Sequence, residues 1–289
     1  VDFNGETFDI SGTAVFSGGT TTLAAGNLSF TGADPVALND SAKFVVAGGK
    51  LVAAGGIDVR GDDSLLRIQA VAAMDDTTPV KVTGGTLEAA SRGLSFGGEF
   101  TAGTIRTADN GTLTFTKEYA LAEGMNVVNP NTMTFNEALT VAGGSVRNDG
   151  QMTFAKTLAV TDGTFANAGH VNAQSVTMTG GEMAFTVDEA GTTNITVAET
   201  FYAAGGVLSG QGDVHAKNVT LTDSLALNAS DLNFEADETL VSNGNFTAGN
   251  VAAQTVTVEA GALAAKAVET TNASVADGST LDADSLAFS

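Results

Sequence analysis

The chain has 289 residues, with 12 Lys plus Arg against 33 Asp plus Glu and a formal net charge of -21, a field that repels polyphosphates and excludes nucleic acid as a partner. It has no cysteine, which excludes disulfide frameworks, thiolate nucleophiles, Cys-ligated zinc and iron–sulfur clusters. Hydrophobic residues make up 43% and charged residues 16%, too apolar a mixture for a disordered chain.

In chain order, short apolar-x-apolar triplets recur, many of them followed by a glycine pair or by Asp-Gly. They open with Leu28-Ser29-Phe30, then Val80-Lys81-Val82 with Gly84-Gly85, Leu94-Ser95-Phe96 with Gly97-Gly98, and Leu113-Thr114-Phe115. The cleanest copies follow: Leu139-Thr140-Val141 with Gly143-Gly144, Leu158-Ala159-Val160 with Asp162-Gly163, and Val176-Thr177-Met178 with Gly180-Gly181. Val219-Thr220-Leu221 and Val256-Thr257-Val258 continue the series. A spacing of roughly 16 to 25 residues is that of a solenoid. Within a triplet, period-two alternation puts Leu158 and Val160 on one face and Ala159 on the other. One triplet buries too little to stand alone, so each must stack on its neighbours, with glycines supplying positive φ at the corners.

These features predict an all-β fold, a right-handed parallel β-helix running through residues 1–289 as one continuous segment of about 13 to 16 coils, roughly 60 to 75 Å long. A sandwich or up-and-down barrel would need longer strands and more hairpin signals. Asn148-Asp149-Gly150 and Asp109-Asn110-Gly111 fit hairpins but also β-helix corners. The three prolines, Pro35, Pro79 and Pro130, mark no linker. No stretch reaches the ~18 apolar residues of a membrane helix, so no direct membrane insertion of this segment is expected. The start at Val1, without a basic leader or apolar core, reads as a mature product or an excised piece.

The strings Ala142-Gly143-Gly144-Ser145-Val146 and Thr179-Gly180-Gly181-Glu182-Met183, together with Val80 to Glu88 and Ala203-Ala204-Gly205-Gly206-Val207-Leu208, resemble passenger segments of Gram-negative autotransporters and filamentous-haemagglutinin-type adhesins. The resemblance covers nearly the whole chain. It implies secretion to the bacterial cell surface and a role in adhesion, aggregation or biofilm formation, and the absence of cysteine suits export through a pore. The family's signal peptide and C-terminal membrane barrel are not in the sequence, which fits an internal fragment.

Candidate chemistry is sparse, and no catalytic, cofactor or metal residues are assigned. Asp62-Asp63 and Asp75-Asp76 flank an irregular stretch from Gly61 to Pro79. Paired carboxylates on neighbouring coils can cleave sugars, but such clefts favour aromatic stacking and the chain offers only Tyr119 and Tyr202, with no Trp. Gly55-Gly56-Ile57-Asp58 and Gly210-Gln211-Gly212-Asp213 are isolated approximations to a calcium repeat that requires tandem copies. His170 and His215 lack metal-ligand spacing and read as satisfied surface histidines. Arg60-Gly61-Asp62 spells an integrin-type tripeptide, best explained as a glycine turn beside an incidental Arg-Asp pair. Thr112 to Thr116 and Thr220-Leu221-Thr222 resemble ice-binding Thr-x-Thr ladders, but their copies are irregular, so threonine reads as an outward, β-favouring residue. Asn27, Asn194, Asn218 and Asn245 head Asn-x-Ser/Thr sequons that follow from composition.

The expected function is a noncatalytic structural or adhesive rod, in contact with host or bacterial surface glycans or proteins and capable of self-association. The alternatives are a polysaccharide-binding or polysaccharide-cleaving β-helix, including the phage tailspike type, and a passive spacer.

Overall fold

The computed structural model describes residues 1–70, 78–187 and 194–289, with backbone only at 229 and 230. Among these residues there is no helix, and 71% lie in strands whose pairing is parallel throughout, giving a β-solenoid of about 14 turns. The chain divides into two compact units. Unit 1 comprises Val1–Lys117 with Ala122–Thr134, and unit 2 comprises Glu118–Leu121 with Phe135–Ser289.

Unit 1 is built mostly from strands of two to five residues, three to a turn. Thr20–Leu23, Asn27–Phe30 and Val36–Leu38 make one turn, and each pairs in register with its successor: Lys43–Val46, Lys50–Ala53 and Ile57–Val59. Alternation decides which side chains enter. Leu23, Val46, Ile68 and Ala89 stack in one interior column at 0% exposure, each on a successive coil. Each such burial contributes about 1.5–3 kcal/mol for a full-sized aliphatic side chain. Phe16, Leu38, Val59, Val82 and Phe100 form a second column. The first column turns polar at Thr107, whose hydroxyl donates to Asn129 Oδ1 at 2.9 Å, so a buried pair of polar groups satisfies itself.

Unit 2 is built from strands that continue round the corners. Gln151–Asn167 is one strand of 17 residues, and Leu225–Asn243 one of 19. Its corners cost only a short register shift, as between Phe154 and Thr157, after which pairing resumes. One interior column runs from Met152 through Val171, Ile195, Val214 and Phe234 to Val251 and Val268, its members 17 to 24 residues apart. Phe135 and Phe154 stack with ring centroids 4.9 Å apart at 12°, in the neighbouring interior column that runs on from Phe154 through Ala173 to Val197.

The Asn148-Asp149-Gly150 segment forms a corner and not a hairpin. Asn148 is fully buried, and its amide donates to Asn167 Oδ1 at 2.8 Å and to the carbonyls of His170 and Gly150. Two glycines show why the corners need this residue. Gly163 has φ of 76°, and a Cβ there would lie 2.3 Å from the carbonyl oxygen of Gly144 on the preceding coil. At Gly84 the reason is proximity alone: a Cβ would sit 1.8 Å from the Arg60 carbonyl oxygen.

Candidate functional site

The tripeptide Arg60-Gly61-Asp62 occupies the corner between the strands Ile57–Val59 and Leu65–Ile68. The Arg60 guanidinium is not paired with Asp62. Its Nε donates to Asp58 Oδ2 at 2.7 Å, and Asp58, only 6% exposed, also accepts from the Thr83 hydroxyl at 2.7 Å. A Cβ at Gly61 would lie 2.2 Å from the Asp40 nitrogen, so the glycine is packed against the preceding coil. This corner presents an arginine already engaged by its own strand, not a projecting loop. Asp62 and Asp63 are exposed turn residues beside it. Asp75-Asp76 lies outside the described residues.

At Gly55-Gly56-Ile57-Asp58 each Asp58 oxygen accepts from a side chain of its own chain, Arg60 and Thr83. On the next coils its outward column continues as Lys81 and Glu99. Glu99 binds Lys81 Nζ at 2.9 Å, and that hydrogen bond and charge hold the ammonium above its ordinary pKa. At Gly210-Gln211-Gly212-Asp213 the carboxylate accepts from Asn233 Nδ2 at 2.7 Å. Among the described residues, no three His, Asp or Glu side chains are grouped to hold a metal ion.

The histidines are engaged separately: His170 Nδ1 meets Asn194 Oδ1 at 2.8 Å, and His215 Nε2 meets Asp237 Oδ1 at 2.9 Å. Three of the sequon asparagines also carry inter-coil bonds. Asn194 serves His170, Asn218 Oδ1 accepts from Thr239, and Asn245 Oδ1 accepts from the Ala262 amide. Asn27 lies exposed at a strand start. Of the two tyrosines, Tyr119 points inward at 8% exposure, where burial raises its phenol pKa; Tyr202 points outward at 36%.

A further ionic cluster was not anticipated from the sequence. Arg67, Glu88 and Arg106 are register partners on three coils of unit 1, and Glu88, 1% exposed, is held between the two guanidiniums. Arg106 Nε donates to Glu88 Oε2 at 2.7 Å, and Arg67 also pairs with Asp109. The Glu88 carboxylate is engaged on both oxygens, while Arg67 Nε is buried without a partner, so the cluster is a cross-coil staple with one donor left unpaired.

One face of unit 2 is repetitive, carried by triplets that stand out in the sequence together with Phe201-Tyr202-Ala203 and Leu240-Val241-Ser242. Their central residues align outward as Thr140, Ala159, Thr177, Tyr202, Thr220 and Val241, one per coil. A parallel column two residues earlier runs through Thr157, Ser175, Thr200, Asn218, Thr239 and Thr255. Neither column contains a charged residue. Thr220 of the Thr220-Leu221-Thr222 string falls in the central column, where threonine alternates with Ala159, Tyr202 and Val241, whereas Thr112 to Thr116 lies in unit 1, so the Thr-x-Thr strings form no continuous ladder. The two columns are hydroxyl-rich and uncharged on a strongly acidic chain.

No family model matches the chain, and no match to it was found among the curated proteins or the solved structures.

Proposed function

We propose that this chain is a noncatalytic adhesive segment of a secreted bacterial surface protein, of the kind found in autotransporter passengers and filamentous haemagglutinins, and that it acts by self-association and by contact with surface glycans or proteins. The observation that supports this reading is the register of unit 2, which presents uncharged and mostly hydroxyl-bearing side chains on successive coils about 4.8 Å apart. Contacts that are individually weak gain strength when many are made at once. A net charge of -21 opposes the approach of two copies, and salt screens that repulsion.

Light scattering on the 289-residue chain tests the reading. Association is expected to rise from low to physiological salt and further with calcium. Scattering that stays flat across that range, with and without calcium, overturns self-association as the function.

A further inference from the structure

The neutral face of unit 2 is bordered by charges, and their order along each strand is informative. Where the corner residue before a strand is lysine, the residue after it is aspartate: Lys156 precedes Thr157 to Thr161 and Asp162 follows, and Lys217 precedes Asn218 to Thr222 and Asp223 follows. Where the corner residue is glutamate, glycine follows, as from Glu137 to Gly143, Glu199 to Gly205 and Glu238 to Gly244. The residues Lys156, Glu199, Lys217 and Glu238 all fall at the register shifts that mark one corner of the unit. One edge of the face therefore carries Lys and Glu, and the opposite edge carries Asp and Gly.

This arrangement is self-complementary in one orientation. A two-fold axis lying in the face and parallel to the direction of coil stacking sets each coil against the same coil of the other copy, first corner over last. Lys156 then faces Asp162 of the second copy and Asp162 faces its Lys156; Lys217, which also reaches Glu238 of its own chain at 3.4 Å, is matched with Asp223 in the same way. Each glutamate corner faces a glycine, so no like charges oppose. Reversing one copy instead lays the two aspartate-bearing edges on each other. Tyr202 lies mid-face, where an aromatic anchor contributes most to a protein interface.

We propose that this face docks a second copy of the chain, side by side and in the same direction, with Tyr202 at the centre and Lys156–Asp162 and Lys217–Asp223 pairs at the edges. The inference rests on the self-association reading and adds to it the surface and the orientation. The face measures about 25 Å along six coils and about 20 Å between corners, roughly 500 Å² in plan. A standard interface buries about 800 Å² per partner, so the contact is weak and suited to arrays of copies. Elsewhere the acidic surface keeps copies apart, which makes the neutral face the route of approach.

Sedimentation velocity at physiological salt reads the result. Tyr202→Lys is expected to abolish association, whereas Thr196→Lys, an outward residue in another column with the same change in charge, leaves it unchanged. Lys156→Glu is expected to weaken association roughly fivefold, and adding Asp162→Lys in the same chain restores it. Thermal melting confirms that each variant is folded. Because the chain has no cysteine, mixing Lys156→Cys with Asp162→Cys copies under oxidation yields a cross-linked pair, and Lys156→Cys alone does not. Association of Tyr202→Lys equal to the parent, or self-linking of Lys156→Cys, overturns this face and orientation while leaving the functional reading intact. A parent chain that is monomeric at every salt concentration overturns both this face and self-association. A monomeric parent retained on a neutral polysaccharide matrix, and released by Tyr202→Lys, overturns the second copy as occupant.

Discussion

The two units use the same parallel coil but close their corners differently. In unit 1 most strands end after two to five residues and the chain turns through short segments held by isolated backbone bonds, as between Lys43–Val46 and Lys50–Ala53, where the Ala47 and Gly48 amides both donate to the Leu23 carbonyl. In unit 2 a strand such as Gly206–Thr222 passes through its corners with brief register shifts and keeps its backbone bonds. Unit 1 bridges its coils with side chains, through the Arg67–Glu88–Arg106 staple and the Asp58–Arg60–Thr83 cluster. Unit 2 carries cross-coil side-chain pairs as well, such as His215–Asp237 and Asn233–Asp213, so the units differ in the continuity of the backbone ladder and not in the presence of bridges.

The largest test of that difference is core truncation in unit 2. Phe154→Ala removes a ring that is 1% exposed and stacked on Phe135, and is expected to cost about 3–5 kcal/mol. Amide exchange should show the loss in the strands from 151 to 185; equal loss in Leu28 to Phe30 of unit 1 would make the two units one cooperative block. In unit 1 the comparable test is Glu88→Ala, which leaves two guanidiniums without their buried carboxylate. Because Arg106 is 46% exposed and partly solvated, about 2–3 kcal/mol is expected by denaturant unfolding, and an unchanged midpoint would remove the staple from the account.

Corner substitutions sharpen the contrast on a smaller scale. Gly163→Ala in unit 2 meets both a positive φ and a carbonyl 2.3 Å away, whereas Gly93→Ala in unit 1 meets a φ of 86° but nothing within 4 Å. Expected losses are about 2–3 and about 1 kcal/mol, and equal values would show that backbone strain alone governs both corners. The smallest effect is at alkaline pH. Burial raises the Tyr119 phenol pKa in the folded state, so its contribution is complete below the ordinary phenol value of about 10 and is lost as pH rises beyond it. Tyr119→Phe should flatten the fall in melting temperature above pH 10; an identical slope in both proteins would assign the fall to other groups.

Much of the fold can be read from the chain because coil periodicity is written in local alternation. Leu139-Thr140-Val141, Leu158-Ala159-Val160 and Val176-Thr177-Met178 mark strands, inward residues and corners without reference to anything distant. Phe201-Tyr202-Ala203 and Leu240-Val241-Ser242 belong to the same column but escape the pattern, since alanine and serine at the third position weaken the triplet. The face itself is less legible. Its columns are assembled across coils of unequal length, and the interval from Val176 to Phe201 contains an extra stretch that hides the alignment of Thr177 with Tyr202. Arg60-Gly61-Asp62 shows the opposite failure, a conspicuous string whose arginine is claimed by Asp58, two residues earlier.

The interior columns of unit 2 have a kinetic consequence. Their pairing partners are only 17 to 24 residues apart, so in a chain of 289 residues the relative contact order of the ladder is about 0.07. That is the range of helical bundles, although the secondary structure is entirely parallel sheet, a class that ordinarily folds slowly because distant segments must meet first. Each finished coil is instead the template for the next, and the search at every step spans one turn of chain. Folding can advance as successive additions to an existing edge, at a rate set by the turn and not by the length of the protein.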